Sequence, residues 1–203
     1  MFLWWVLLYV YFLVILVCAV VSLSGCLGGR CPSVLFYNLS ATEAGSTPGA
    51  AGSGPAISVG SVIFPKSLRR SQLLIRTGPN SVEVDEFHRW AGSLESDFLD
   101  ALGSNLGALL GTERVAIYPA EAMFPLDYRI SLDVDRFDGA PGGTLVLSAR
   151  WTITATETMA AAAVRHSVIQ KTVAGDTMDA LVRAHDAAVA QLSREIAEQI
   201  RAL

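Results

Sequence analysis

The residue best placed for chemistry in this chain is Cys26, which closes the run Leu23-Ser24-Gly25-Cys26. Small residues ahead of a cysteine suit the cleft of a signal peptidase. The thiol freed at the new N-terminus is the nucleophile that takes a diacylglycerol. The boundary predicts a signal peptide over 1–25, a lipidated tether over 26–33 and one mature domain over 34–203. Each acyl methylene buried in a membrane contributes roughly 0.8 kcal/mol, so two or more chains anchor stably. The same apolar run reaches the ~20 residues of a membrane span, which makes an uncleaved transmembrane helix the competing reading. Arg30 is the first charge in the chain, whereas signal peptides ordinarily open on Lys or Arg.

The remaining reactive side chains do not assemble into a known catalytic pattern. His88, His166 and His185 lie far apart, with no ligand-spaced partner. His185 falls on the apolar side of a helical pattern and is expected to be a hydrogen-bonded core residue. No Gly-x-Ser-x-Gly, His-Glu-x-x-His or paired Cys-x-x-Cys occurs. Gly139 and Gly142-Gly143 do not precede a helix, so they are expected in a hairpin and not in a phosphate cradle. Asp133, Asp135 and Asp138 resemble calcium ligands in spacing, but the first two alternate on the polar face of a strand. No enzyme, metal or cofactor is predicted. The rival function is a small-ligand binder or hydrolase using a cleft beside His88 or His166, where a histidine would meet a carboxylate.

Two stretches carry more than packing requires. Asp85-Glu86-Phe87-His88-Arg89-Trp90-Ala91 gathers aromatics and opposite charges in what reads as a loop, and loops carry function. Trp and Arg are enriched at binding hot spots. Glu86, Phe87, Arg89 and Trp90 are therefore the candidate partner contact. The plainer alternative is Trp90 plugging a sheet while Glu86 and Arg89 pair locally. The second stretch, Arg136-Phe137-Asp138-Gly139 with Trp151, suggests either turn support or an Arg136 cation–π contact.

The elements that must position these residues follow from periodicity. Val34–Leu39 reads as a strand, and 40–56 as a flexible loop of small and polar residues. Ile57–Val62 alternates as a strand. Leu73–Arg76 and Val82–Val84 flank Thr77-Gly78-Pro79-Asn80 as a hairpin. A helix is predicted over Leu94–Leu110, with Ser93 as N-cap, Glu95 and Asp97 at its positive end and Gly111 as its stop. Its apolar stripe is Leu94, Phe98, Leu102, Leu106 and Leu109, and Gly103, Gly107 and Ala108 would admit a close neighbour. Val115–Tyr118 is a short strand. Tyr128–Asp135 and Leu145–Ile153 alternate as a hairpin across a glycine-rich turn. A further strand lies near Ser167–Val173, with the stretch around Met159–Ala163 left open. The last helix covers Met178–Ala202. It buries Leu181, Val182, His185, Val189, Leu192, Ile196 and Ile200, and turns Arg183, Asp186, Arg194, Glu195, Glu198 and Arg201 to water. Strands then a helix, twice, predicts an α+β fold: an antiparallel or mixed sheet with two helices on one face.

Composition sets outer limits. The chain has 203 residues and a net charge of −4, all of it beyond residue 29. Without a basic stripe, nucleic acid is not an expected partner. The mean hydropathy of +0.43 is inflated by the leader. Of the three cysteines, Cys18 sits in the leader, Cys26 would be lipidated and Cys31 would remain as a lone thiol in the tether, so no disulfide framework forms. Residues 27–33 reach on the order of 25 Å when fully extended.

These segments, in this order, resemble the PqiC family of ABC-transport auxiliary lipoproteins. The resemblance rests on Leu23-Ser24-Gly25-Cys26, Phe36-Tyr37-Asn38-Leu39, Ile57-Ser58-Val59-Gly60, Glu86-Phe87-His88-Arg89-Trp90-Ala91, Tyr128-Arg129-Ile130, Arg136-Phe137-Asp138-Gly139, Ala149-Arg150-Trp151 and Ala190–Ile196. It departs from the family at Gly92-Ser93, where an acidic residue and proline are usual, and in the missing basic leader. The resemblance implies a non-enzymatic lipoprotein, facing the periplasm from the outer membrane, since Leu27 stands where an inner-membrane retention signal would place Asp. It implies an inner-membrane MCE-domain protein as partner, lipid transport as the task and support of membrane integrity as the result. Self-assembly as a homo-oligomeric ring would suit a tunnel-shaped partner, and the small residues of the first mature helix would permit it.

Overall fold

In the computed structural model, residues 2–23, 33–43 and 54–203 are described. Cys26, Cys31 and most of the 40–56 loop lie outside these residues. The chain divides into two compact units, Met1–Ser33 and Val34–Leu203.

The first unit holds α1, Phe2–Leu23, a 22-residue helix without a charge. Counting only residues with described side chains, no helix is long and apolar enough to cross a membrane. The full uncharged stretch, at 1.5 Å per residue, measures about 33 Å, a hydrocarbon core's thickness. A leader's apolar region and a retained anchor both require such a helix.

The second unit is α+β. Its elements are β1 (Leu35–Tyr37), β2 (Ile57–Ile63), β3 (Gln72–Arg76), β4 (Val82–Trp90), α2 (Leu94–Leu110), β5 (Val115–Ile117), β6 (Tyr128–Asp138), β7 (Thr144–Ala155), β8 (Ala160–Thr172) and α3 (Met178–Arg201). The strands form two mixed sheets, where the sequence suggested one. The smaller has the order β1-β4-β3 and the larger β5-β2-β6-β7-β8. The β3–β4 and β6–β7–β8 pairings are antiparallel; β1 joins β4, and β2 joins β5 and β6, in parallel.

Helix α2 begins at Ser93, whose hydroxyl accepts from the Ser96 N–H at 3.5 Å, and ends at Gly111 in the left-handed region with φ 64°. Glycine takes that conformation without a Cβ penalty. Leu94, Phe98, Leu102 and Leu106 are buried as their spacing predicts. Helix α3 is capped by Thr177, and its predicted apolar face is buried throughout. The helices pack on each other and on one face of the larger sheet, α2 over β2 and β5 and α3 over β7 and β8.

Several expectations need correction. Asp186 does not face water: it is buried, and its Oδ1 accepts the Ser40 N–H at 2.8 Å. Gly103 and Gly107 of α2 do not offer a free surface. A Cβ on Gly103 would stand 2.6 Å from Ile117 Cδ1, and one on Gly107 3.3 Å from Val115 Cγ2. They are small because β5 of the same chain lies against them. The last strand, β8, begins at Ala160, well before Ser167, because its first residues are four alanines with no alternation to read.

Candidate partner-contact surface

The stretch Asp85–Trp90 is strand, not loop. It completes β4, but with an interruption that explains why it does not read as one. Val84 pairs with Leu74 and Arg89 with Gln72, so four residues of β4 oppose Leu73 alone. This wide bulge is closed by Asp85, whose Oδ1 accepts the backbone N–H groups of Phe87 at 2.8 Å and His88 at 2.9 Å. Burial alone would raise the Asp85 carboxyl. The His88 contact and these two N–H donors outweigh it and hold the group below its usual range. His88 Nδ1 stands 2.9 Å from Asp85 Oδ1, at ion-pair distance but without hydrogen-bond alignment. The His88 ring stacks on Tyr37 at 5.9 Å. Burial, with the nearby Asp179, raises the Tyr37 phenol.

Past the bulge, β4 runs parallel to β1, pairing Leu35 with His88, Phe36 with Arg89 and Tyr37 with Trp90. Alternation then separates the candidates. Trp90 points inward and is 4% exposed. Its ring meets His185 edge-on at 5.5 Å, and His185 meets Phe137 at 4.6 Å. Phe64, Phe98 and Phe137 extend the cluster through edge-on and tilted contacts. Each such pair contributes about 0.5–1.5 kcal/mol beyond simple burial. Trp90 is thus core, so among the four candidates it is corrected to a buried residue beneath the exposed ones. Phe87 is 45% and Phe36 63% exposed. Arg89 donates to Glu86 through Nη2 at 3.3 Å and to the Glu86 carbonyl at 3.2 Å, as the local-pairing alternative expected. The outer face therefore shows two aromatics beside a zwitterionic pair, on a strand fixed from behind.

His185 is buried, and its Nδ1 donates to the Leu181 carbonyl at 2.8 Å. Burial pushes its pKa down to about 4, so the ring is neutral, as expected of a core histidine. His166 shares a surface with Ser148 and Asp135. Its Nε2 lies 3.0 Å from Ser148 Oγ and 3.8 Å from Asp135 Oδ2. Both contacts use one nitrogen, whereas a nucleophile–base–orienter relay needs both ring nitrogens. Asp133 and Asp135 pair with Arg150 at 3.0 and 2.9 Å. Among the described residues no cluster of metal-ligating side chains occurs.

Arg136-Phe137-Asp138-Gly139 joins the two sheets. Asp138 at the end of β6 accepts Arg76 of β3 twice, at 3.0 and 2.7 Å, and Arg136 Nε at 2.9 Å. The Arg136 guanidinium thus serves a carboxylate, not an aromatic ring. Burial opposes ionisation of Asp138, but the two guanidinium groups outweigh it and hold its pKa down. The Arg76 N–H donates to the Gly139 carbonyl at 2.7 Å. Gly139 has no room for a side chain: a Cβ would stand 2.6 Å from Leu145 Cα. Trp151, also buried, starts a polar chain that the sequence did not signal. Its Nε1 donates to Ser167 Oγ at 2.9 Å, and Ser167 donates to Glu195 Oε2 at 2.5 Å. Gln191 donates to Glu195 Oε1 at 3.2 Å and accepts Lys171 Nζ at 2.6 Å.

Residues 37–197 match the model of the ABC-type transport auxiliary lipoprotein component. The chain belongs to that family. The match runs from β1 into the last turns of α3 and so takes in the bulge, the Asp138 staple and the Trp151 chain. A transport auxiliary lipoprotein component works beside an ABC-type transport system. The fold recurs in solved structures. The crystal structure of an uncharacterized protein is similar with a TM-score of 0.68 at 21% identity, over 83% of this chain and 99% of its own. Protein XCC0632 from Xanthomonas campestris, of the DUF330 family, is similar with a TM-score of 0.61 at 15% identity, over 81% of this chain and 92% of its own. No curated protein matches the chain in sequence.

Proposed function

We propose that this auxiliary lipoprotein is of the PqiC type and serves an MCE-linked ABC lipid transporter, docking the inner-membrane MCE protein to the outer membrane. Cleavage after residue 25 and acylation of Cys26 would fix the chain to the outer membrane, facing the periplasm. The tether over 26–33 would hold the domain over 34–203 close to that surface. The role is to bind and bridge, and transport of lipid between membranes with support of membrane integrity is its consequence. A ring of copies remains compatible with this role, though not through Gly103 and Gly107, which β5 covers.

The observation that carries the reading is the outer face of β1 and β4. Phe36 and Phe87 are exposed there, and Arg89 lies beside Phe36 across the parallel register. Exposed aromatics with an arginine, on a strand anchored by a buried tryptophan, are what a protein contact uses. The test is co-purification of the MCE protein with Phe87→Ala and Arg89→Ala, singly and together. At least tenfold loss of partner is expected, with the melting temperature nearly unchanged. Undiminished partner recovery with the double variant would refute this contact.

A further inference from the structure

We propose that the groove on the outer face of β5, β2 and β6 is a binding site for an anionic amphiphile, its phosphate held by Arg129 and its apolar part by Tyr118 and Phe124. The groove encloses about 640 Å³ and opens to solvent. Its residues come from outward positions of β2 and β6, from the segment 118–126 after β5 and from Thr156 just past β7. None belongs to the β1–β4 face.

Three features point to a ligand. The floor is polar: Ser58, Ser61, Ser131 and Thr156 present hydroxyls around Arg129. Ser61 reaches this face through a bulge. Gly60 and Ser61 together oppose Ser131 alone, since Val59 pairs with Ile130 and Val62 with Leu132. Bulges are devices for re-aiming a side chain next to a site. Second, polar groups in the groove lack partners. Thr156 lines the groove, and its Oγ1 has no hydrogen-bond partner among the described residues. Arg129 is exposed at the groove and forms no ion pair among the described residues, so its guanidinium is open to an anion. Third, one wall is apolar: Tyr118, Pro119, Phe124 and Leu126 line it, with Tyr118 54% exposed. A guanidinium with hydroxyls matches a phosphate oxygen set, and the adjoining apolar wall matches the first part of an acyl chain. Glu121, also in the lining, sets a limit on affinity by opposing an anion.

The choice of a lipid as the source of the phosphate rests on the proposed transport role, but its test needs no transporter. The full chain is held in non-ionic detergent with a phosphatidic acid carrying a photoactivatable diazirine in its acyl chain, and labelled peptides are mapped by mass spectrometry. Labelling of the 118–126 segment is expected, falling about tenfold in Arg129→Ala, in keeping with loss of a charged hydrogen bond. Arg129→Lys should restore part of it, and Glu121→Gln should raise it a few-fold. Glycerol 3-phosphate should compete only at far higher concentration than the lipid. Labelling that ignores Arg129, or that falls elsewhere, overturns the site. Equal competition by glycerol 3-phosphate overturns the amphiphile in favour of a free phosphate. Loss of MCE co-purification without change in labelling, or the reverse, separates failure of one proposal from failure of the other.

Discussion

Acidification should destabilise the domain through His185, and the size of the effect follows from its burial. The ring is enclosed by Trp90 and Phe137, and burial depresses its pKa from 6.5 to about 4. A depressed pKa means that the unfolded chain binds the proton more readily. Stability is therefore full above about 6.5 and falls as pH drops towards 4. Between about pH 7 and about pH 5, the difference in proton binding amounts to about 2 kcal/mol. The figure is insensitive to the folded pKa, because the unfolded ring is mostly charged at about pH 5 while the folded ring stays mostly neutral. Other buried groups titrate as well. Burial raises Asp97 and Asp186, so their stabilisation is present in acid and lost as pH rises, the opposite sign. Asp138 is lowered from 3.8, and its effect falls below this window. His185→Leu isolates the ring. Its Nδ1 donates to a helix carbonyl four residues back, which keeps its backbone bond after substitution. Urea unfolding of Val34–Leu203, followed by Trp fluorescence, should show the native chain losing about 2 kcal/mol more than His185→Leu over this range. Equal losses in the two proteins would show that His185 is charged in the fold or reached by water.

Asp138→Asn should cost about 2–3 kcal/mol in urea unfolding, mainly through the two bonds to Arg76; the bond from Arg136, more than a third exposed, contributes little. Gly139→Ala drives a methyl into Leu145 Cα and the Thr144 carbonyl and should cost about 1–3 kcal/mol in the same assay; an unchanged midpoint would show that the turn relaxes freely. Intact-mass measurement should find a chain beginning at Cys26 and carrying acyl groups, both lost in Cys26→Ala; an unprocessed chain from Met1 would replace the lipid anchor with α1.

Local signals foretold the parts of the fold that local interactions build. Ser93 and Gly111 bracket α2 because capping involves only neighbouring residues. The β6–β7 hairpin is legible because both strands alternate and connect directly. The misses share one cause, which is dependence on a distant partner. The second sheet exists because β1 pairs in parallel with β4, some fifty residues on, and no short-range pattern encodes that. The bulge at Asp85–His88 mixes side-chain capping with strand pairing, so its alternation breaks and it reads as loop. Asp186 appears solvent-facing on a helical wheel, yet the chain at Ser40 returns over it. The polar chain from Trp151 to Lys171 joins β7, β8 and α3 and is invisible until those elements meet.

The distribution of packing decides where function can reside. Helices α2 and α3 pack on one face of the larger sheet, over β2, β5, β7 and β8, and β5 fills the space beside Gly103 and Gly107 of α2. The sheet face beneath the helices is core, while Arg183 and Glu198 on α3 stay exposed. The Asp138 staple and the aromatic cluster around Trp90 fix the smaller sheet to this core. The strand faces turned away from the helices remain, and they differ in character. At β1 and β4 the face carries protruding aromatics, which suits a protein surface. Across β5, β2 and β6 it is hollow and lined by hydroxyls and by Arg129, which has no ion pair among the described residues, and this suits a small anionic ligand. A docking subunit with both surfaces would hold its partner with one and sample the cargo with the other. Because the surfaces share no residue, substitution in each should act independently of the other.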